Sequence, residues 1–480
     1  MQTLTSDVRR SSFGAMLMKI KHPLVKSFFM GWAYPIWLAF SVVVGRALNL
    51  EVYFAILDLV LIAIAFYACE SMRPILPILM SFLYRISLDH APGTPNYSDY
   101  YRGWKIIVPI IFFVFAVTSL VAMLIRRGAF TKENFKKLPL LIPLSVLSAA
   151  FLLSGSFYSG KVFSDFTFAL LQVFVFAIVF WLLYLGFKGE DADQTCGYFV
   201  YVSAVVACIL ILEVAHLYIF NENVIVDGVI NKHYINFGWG ISNTCANCLT
   251  VLIPICFLGV MRSRKYHYAY FTVGTLALVA TAFTLCRNGL LFGSIFYAIC
   301  LLLSCFLGRN KKIYRYVAVA TALGCIAISL IFGEELKVMF ANMIAHGLDD
   351  NGRFPLWYKA FDGFVEMPVF GKGFFSLLPE ATPYASFIPF LAHNTILEVM
   401  GAMGSFGLLA YLFYRAATII PFVKNISIEK VMLFLSVAVL IVESLIDNYI
   451  LWFAPTFVYN IAILIAIKYN EDKKTTSHEN

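Results

Sequence analysis

The sequence predicts an all-α protein, a polytopic transmembrane helical bundle of about 12–14 spans with a long extracytoplasmic loop that contains short helices. Of its 480 residues, 61% are hydrophobic and only 13% are charged, whereas a soluble domain carries about 25% charged residues. The mean hydropathy of +0.81 is higher than a large soluble core would give. Apolar runs of about 17–22 residues also follow one another, and each can cross about 30 Å of hydrocarbon as a helix.

The apolar runs predict the spans in chain order, because backbone inside lipid must satisfy its own hydrogen bonds and helices do so. The candidate spans are 28–48, 52–69, 104–125, 138–154, 166–187, 197–218, 245–260, 268–286, 289–307, 314–333, 395–414, 430–448 and 452–468. A shorter apolar stretch, 74–88, contains Pro74 and Pro77, and it is either a further crossing or a re-entrant piece.

Positive charges between the spans predict the orientation, since Lys and Arg accumulate on the cytoplasmic side. The basic residues that fall on one side are Arg126, Arg127, Lys132, Lys136, Lys137, Arg262, Arg264, Lys265, Arg309, Lys311, Lys312, Arg315, Arg415, Lys424, Lys430, Lys468, Lys473 and Lys474. The basic N-terminus joins them if 74–88 crosses, which gives fourteen crossings with both termini inside. Because the net charge of +8 is explained by this arrangement, it does not indicate a nucleic-acid partner.

This topology divides the chain into five regions. They are a cytoplasmic segment 1–27, a transmembrane region 28–333, a long extracytoplasmic loop 334–394, C-terminal transmembrane helices 395–468 and a cytoplasmic tail 469–480. A connection of about 60 residues is unusually long, and long ordered loops are commonly functional. We therefore expect the chemistry of the protein on the extracytoplasmic side.

His393 is the leading candidate for a catalytic residue. It stands in Ala392-His393-Asn394, directly before the span that begins at Thr395. Asn394 is a suitable N-cap for that helix, and capping alone could account for the triplet. An imidazole at the membrane surface is also suited to general-base work near neutral pH.

Several cations on the same side are candidates for binding an anion. Arg287 lies in a tight hairpin between two spans, where it either extends to the membrane surface or binds a phosphate bidentately. Arg353, Trp357 and Lys372 lie in the long loop, where Phe354 to Phe364 show helical periodicity. That segment is either an amphipathic helix on the membrane or a lid above a cavity.

The remaining polar residues give weaker signals. Asn243 and Lys232 belong to a short outer loop before the span 245–260 and are further candidates for substrate binding. Asp349-Asp350 is interpreted as a solvated turn, because no liganding cluster surrounds it, and the sequence predicts no metal site. The acids Asp58, Glu213, Glu398, Glu443 and Asp447 lie in or near spans, where an unpaired charge is costly, so each should have a partner.

Three motifs together resemble the O-antigen ligase and polymerase superfamily of bacterial membrane proteins. They are Cys286-Arg287-Asn288-Gly289-Leu290 at the start of a span, the long loop with Arg353, Trp357 and Pro368-Val369-Phe370-Gly371-Lys372-Gly373, and Ala392-His393-Asn394-Thr395-Ile396-Leu397 followed by Gly401, Gly404 and Gly407. Their order and spacing resemble the family over roughly residues 225–415. The family also commonly has an Arg near the Asn-containing element at Asn236 and Asn243, and here Lys232 is its only nearby substitute.

The resemblance implies a metal-independent membrane glycosyltransferase that needs no cofactor. It would polymerise or ligate a polyprenyl-diphosphate-linked glycan, such as O-antigen or capsule, at the extracytoplasmic face of the bacterial inner membrane. His393 would activate a hydroxyl of a glycan or lipid acceptor, and Arg287, with Arg353, would hold the diphosphate. Membrane lipids would surround the protein, and a chain-length regulator or a flippase would be its protein partner.

A transporter or flippase for polysaccharide or lipid-linked sugar is the alternative, because its span count also fits. A transporter should gather its functional polar residues at mid-membrane, in broken helices. Here Arg287, Arg353 and His393 are instead predicted at the outer face, which favours the transferase and leaves little reason for a non-catalytic scaffold.

Overall fold

The computed structural model describes residues 23–48, 50–85, 107–226, 229–230, 235–237, 240–331, 333–334, 337, 353–378 and 392–479. Each predicted span coincides with a helix or a pair of helices, and the stretch 74–88 also contains one. The helices are α1 Pro23–Met30, α2 Ala33–Ala47, α3 Glu51–Cys69, α4 Ile75–Arg85, α5 Ile107–Arg126, α6 Lys132–Lys136, α7 Leu141–Leu153, α8 Phe163–Val173, α9 Val179–Phe187, α10 Ala192–Phe220, α11 Ser242–Arg262, α12 His267–Phe283, α13 Arg287–Leu307, α14 Lys311–Ile331, α15 Arg353–Glu366, α16 Thr395–Val423, α17 Ile428–Glu443 and α18 Phe453–Glu479.

The all-α, polytopic fold class is confirmed. In the described part of the chain, seven helices are long and apolar enough to cross a membrane, and the count rises to eight if α1 and α2, which meet at 66°, form one bent span. A π-helix, Phe174–Ile178, joins α8 to α9 within a single 25-residue run. The described strands form two short antiparallel hairpins, in which Ile225–Val226 pairs with Val229–Ile230 and Asn236–Phe237 pairs with Gly240–Ile241.

Arg127 and Arg262, which the sequence places on one side of the membrane, lie at the same end of the bundle. Glu190, just before α10, accepts from Arg73 and from Arg127, each at 3.2 Å. Asp193, in the first turn of α10, lies 2.8 Å from Arg262. Because Glu190 and Asp193 are only three residues apart, the ends of α5 and α11 meet at the same level. The assignment of this end to the cytoplasm remains a prediction.

The sequence places Arg415 in a cytoplasmic loop after the span 395–414, but the helix continues past it. Arg415 lies inside α16, is only 7% exposed, and its guanidinium carbon is 4.6 Å from the ring centroids of both Tyr411 and Tyr459. The rings of Tyr414 and Phe176 lie within 6 Å as well. Cation–π contacts of this kind stabilise a desolvated guanidinium by about 2 kcal/mol each, which explains how a charge is kept inside a helix bundle.

Helix α16 is broken at Gly404, whose φ of 68° and ψ of −165° are accessible essentially to glycine alone. The break leaves backbone groups that the segment 368–373 satisfies. Gly401 O accepts from Lys372 N at 3.1 Å, and Ala402 O accepts from Gly373 N at 2.9 Å. On the other side of the break, Ser405 N donates to Pro368 O at 2.8 Å, and Phe406 N donates to Val369 O at 3.1 Å. The break therefore fixes the long loop to the bundle.

Helix α15 confirms the helical periodicity predicted for Phe354–Phe364 and packs closely against α16. Ala360 and Gly363 are buried at the crossing, and a side chain at Gly401 would approach Ala360 O to 2.6 Å. Small residues allow two helix backbones to approach this closely. This packing places the first turn of α15 beside the beginning of α16.

Candidate functional site

His393 precedes α16 in an uncommon backbone conformation, with a φ of +46°. Its Nδ1 lies 3.2 Å from Oδ1 of Asp447, and its side chain is 42% exposed. Asp447 lies just beyond the end of α17, which stops at Glu443, so the predicted span 430–448 is shorter than expected. The structure therefore pairs an imidazole and a carboxylate in the two connections that flank α16 and α17.

Asn394 fixes the backbone beside the imidazole. Its Oδ1 accepts from Ile396 N at 3.0 Å and from Leu397 N at 3.1 Å, which confirms the predicted N-cap. Its Nδ2 donates to Leu445 O at 2.8 Å, so the cap also ties the two segments together. Thr395 N adds a bond to Ser444 O at 2.9 Å. Capping and a functional role for the triplet are thus compatible, because the cap places His393 against Asp447.

Arg353 and Trp357 bring α15 to the same place. Trp357 Nε1 donates to Ala392 O, directly before His393, at 2.7 Å. Arg353 lies four residues earlier, on the same face of α15 as Trp357. Arg353 is also near enough to His393 to oppose protonation of the imidazole. The structure therefore brings together three of the residues that the sequence predicts for the site.

The electrostatics of the site favour the charged form of the imidazole. The hydrogen bond with Asp447 raises the pKa of His393 above its ordinary value, although burial of the ring and the positive charge of Arg353 act against it. The carboxylate of Glu398 adds to the upward shift of that pKa. The pKa of His393 therefore lies above its ordinary value of 6.5.

Arg287 begins α13, at the same end of the bundle. Gly289, in the first turn, packs so closely on Ala246 of α11 that an added Cβ would lie 2.6 Å from the Ala246 methyl group. The start of α11 is linked in turn to the segment that carries Asp447, because Tyr449 donates to Thr244 O at 3.4 Å. These contacts place Arg287 at the end of the bundle where His393 lies.

The comparison with known proteins agrees with these motifs. Residues 275–412 match the family model described as O-antigen ligase. Over that segment the chain is similar to the O-antigen ligase family. No curated protein matches it. The matched segment contains Arg287, Arg353 and His393, so the residues that carried the resemblance lie inside the part of the chain that the family shares.

Two candidates lie upstream of the segment matched by the O-antigen ligase model. Asn243 occupies the first turn of α11, at the end of the bundle where the site lies. Lys232 is outside the described residues, as are Asp349 and Asp350. Among the residues that the structure describes, no group of three or more His, Cys, Asp and Glu side chains could hold a metal ion.

Lys372 is bound to groups of the protein itself. Its Nζ lies 2.5 Å from Glu366 Oε2 and 5.3 Å from the ring centroid of Tyr158, and its side chain is 15% exposed. Its backbone N–H donates to Gly401 O, next to the break in α16. An anion at this position would have to compete with Glu366, so the substrate-binding role of Lys372 remains a prediction.

The structure adds two carboxylates that the sequence alone did not assign to the site, Asp447 and Glu398. The sequence marked both as acids that need partners, because charges near the membrane are costly. Asp58 has partners too, in Trp37 at 3.0 Å and Ser41 at 2.8 Å. His393 and Asp447 are separated by 54 residues, and no spacing rule connects positions so far apart.

Proposed function

We propose that this protein transfers a glycan from a polyprenyl diphosphate to a hydroxyl group of a glycan or lipid acceptor, at the extracytoplasmic face of the inner membrane. The similarity of residues 275–412 to the O-antigen ligase family supports a role in joining lipid-linked glycans. The observation that carries the mechanism is the contact of 3.2 Å between His393 and Asp447, beside Arg353.

In the proposed reaction His393 is the general base. A proton held between Nδ1 and the Asp447 carboxylate leaves the lone pair at Nε2, which takes the proton of the acceptor hydroxyl. The acceptor oxygen bonds to the anomeric carbon of the donor, and the bond from that carbon to the diphosphate oxygen breaks. The polyprenyl diphosphate leaves with the bonding electrons, and the proton passes from His393 to water.

The leaving group requires positive charge rather than an acid. Arg353 and Arg287 are the proposed ligands of the diphosphate, because a guanidinium stays charged and binds phosphate oxygens bidentately. Each charge-assisted hydrogen bond contributes about 1.5–3 kcal/mol. With guanidinium groups in this role, the proposed reaction uses no metal ion. Asn243, Trp357, Lys232 and Lys372 remain proposed contacts with the sugar or phosphate.

The test is transfer of glycan by the purified protein from a lipid-linked donor to an acceptor. His393→Ala should lower kcat by about 10²–10⁴-fold, the usual contribution of a general base. Arg353→Ala and Arg287→Ala should also fail, and Arg287→Lys should keep partial activity because the charge remains without the fork of donors. A His393→Ala protein with unchanged transfer would refute the base role. The product also separates a polymerase, which extends a lipid-linked glycan, from a ligase.

Transport is the competing function, and the break in α16 is the feature that a transporter would share. In this structure the backbone groups at the break are bonded to the segment 368–373. Reconstituted vesicles would distinguish the two functions. Lipid-linked sugar that crosses the bilayer without forming a new glycosidic bond would favour the transporter.

A further inference from the structure

We propose that Glu398 is a positioning residue, whose carboxylate holds His393 and Asp447 in register by binding the residue next to each of them. This inference rests on the proposed function. Glu398 Oε2 accepts from Ala392 N at 2.6 Å and from Asn448 Nδ2 at 3.1 Å. The Glu398 side chain is 0% exposed, so both bonds are made away from water.

The location of Glu398 explains how one side chain reaches both segments. It lies in the first turn of α16, and its N–H donates to Asn394 O at 2.9 Å. A carboxylate is also favoured there by the helix dipole. The side chain reaches back past His393 to Ala392 and across to Asn448, so a single oxygen bridges the two connections.

Fixing Ala392 and Asn448 matters because a small displacement would break the hydrogen bond between His393 and Asp447, which we call the dyad. The Nδ1–Oδ1 distance of 3.2 Å is already near the upper limit of a useful hydrogen bond. The αL backbone of His393 persists only if the surroundings determine it, and Ala392 is fixed on both sides, by Glu398 at its N–H and by Trp357 at its carbonyl. Loss of one of these bonds would let the imidazole move away from Asp447.

Charge gives Glu398 a second effect that can be measured separately. Among the described residues, the charged groups that act on His393 are Asp447 and Glu398, which favour its protonation, and Arg353, which opposes it. Glu443 lies one turn before Asp447 and accepts from Thr250 at 2.6 Å. Glu398→Gln can keep both hydrogen bonds at its carbonyl oxygen but loses the charge. Glu398→Ala loses the two hydrogen bonds and the charge. Asn448→Ala removes only the hydrogen bond between Asn448 and Glu398 and leaves the charge unchanged.

The experiment measures kcat, KM and the pH dependence of transfer for these three variants. Glu398→Ala and Asn448→Ala should lower kcat by up to about 100-fold with little change in KM, because small misplacements of a catalytic group cost that much. Glu398→Gln should keep most of kcat, and its acid limb should move to lower pH, since less negative charge lowers the pKa of His393. Glu133→Gln and Glu133→Ala are matched controls at a largely exposed carboxylate.

The outcomes separate this inference from the proposed function. If His393→Ala is inactive while Glu398→Ala and Asn448→Ala transfer glycan like the unaltered protein, the positioning role is wrong and the base role stands. If His393→Ala is active, the base role itself fails. Should Glu398→Ala not fold, as judged by gel filtration in detergent, Asn448→Ala decides, because it removes one of the two hydrogen bonds to the same carboxylate oxygen, and unchanged transfer by that variant overturns the inference.

Discussion

The αL backbone of His393 is a local cost that the neighbouring residues offset. A residue with a side chain in this region costs on the order of 1–3 kcal/mol. Asn394, Trp357 and Glu398 each contribute a hydrogen bond to the same short stretch of chain. The result is an imidazole whose direction is set by backbone contacts and whose partner is Asp447. Strain at this residue therefore accompanies the function that we propose for it.

Asp447→Asn tests the dyad at the level of one atom. The change removes the carboxylate that raises the pKa of His393, so the base should lose its proton at lower pH and the acid limb of the activity profile should move down. An asparagine can also orient its NH₂ toward Nδ1 and favour the wrong tautomer, so kcat should fall by at least about 100-fold. A pH profile of transfer measures both effects.

Asp362→Asn, on an exposed position of α15, is the matched control for that variant and should behave like the unaltered protein. An Asp447→Asn enzyme with normal kcat and an unmoved acid limb would show that Asp447 does not act through His393.

At this scale the sequence predicted the cap and the need for buried acids to be paired, while the base role of His393 stays a prediction. It did not predict which acid pairs with His393, because Asp447 and Glu398 both lie near spans and hydropathy treats them alike. Only the packing of the connection after α17 against the start of α16 distinguishes them.

At the scale of elements, the break in α16 and the segment 368–373 form one unit. The segment supplies donors and acceptors that a continuous helix would have found within itself. Gly371, with a φ of 65°, lies so close to α16 that an added Cβ would be 2.2 Å from the Ala402 carbonyl carbon. The sequence pointed to these glycines through their spacing. It did not predict the break, because the apolar run continues through it without a change of period.

Gly404→Ala and Gly371→Ala should therefore lower the free energy of unfolding by at least about 1–3 kcal/mol. Each change puts a side chain on a residue with positive φ, and each added Cβ would also clash with neighbouring backbone atoms. A Cβ at Gly404 would lie 2.4 Å from the Val369 carbonyl. The measurement is the Tm of the purified protein in detergent. Gly324→Ala is the control, since nothing lies within 4 Å of that position, and it should be neutral or slightly stabilising. Equal Tm values for all variants would show that the contact between segment 368–373 and the break in α16 does not stabilise the protein.

At the scale of the whole molecule, charged residues cluster at the two ends of the helical bundle. Arg127, Arg262 and their acid partners lie at one end, while His393, Arg353 and Arg287 lie at the other. Hydropathy predicted the helices well because long apolar runs determine them. The described residues contain seven or eight full-length spans rather than the 12–14 that hydropathy predicts, and α4, α7 and α12 are among the helices shorter than a full span.

The orientation can be tested with short epitope tags. A tag inserted at Asn310, between α13 and α14, should be hidden in spheroplasts and exposed in inverted membrane vesicles, because that connection is predicted to be cytoplasmic. A tag inserted at Asn223, after α10, should behave in the opposite way. The reversed pattern would place His393 in the cytoplasm and contradict transfer at the outer face.

The two members of the dyad are carried by a single helical hairpin. Helix α16 runs from the His393 segment to Lys424, and α17 returns from Ser427 to the Asp447 segment. At the far turn, the ammonium of Lys430 binds the carbonyls of Lys424 and Asn425 and the side chain of Asn470. The distance between the His393 imidazole and the Asp447 carboxylate is thus set within this one hairpin. A change in the packing of the earlier spans would therefore leave the geometry of the proposed catalytic pair intact.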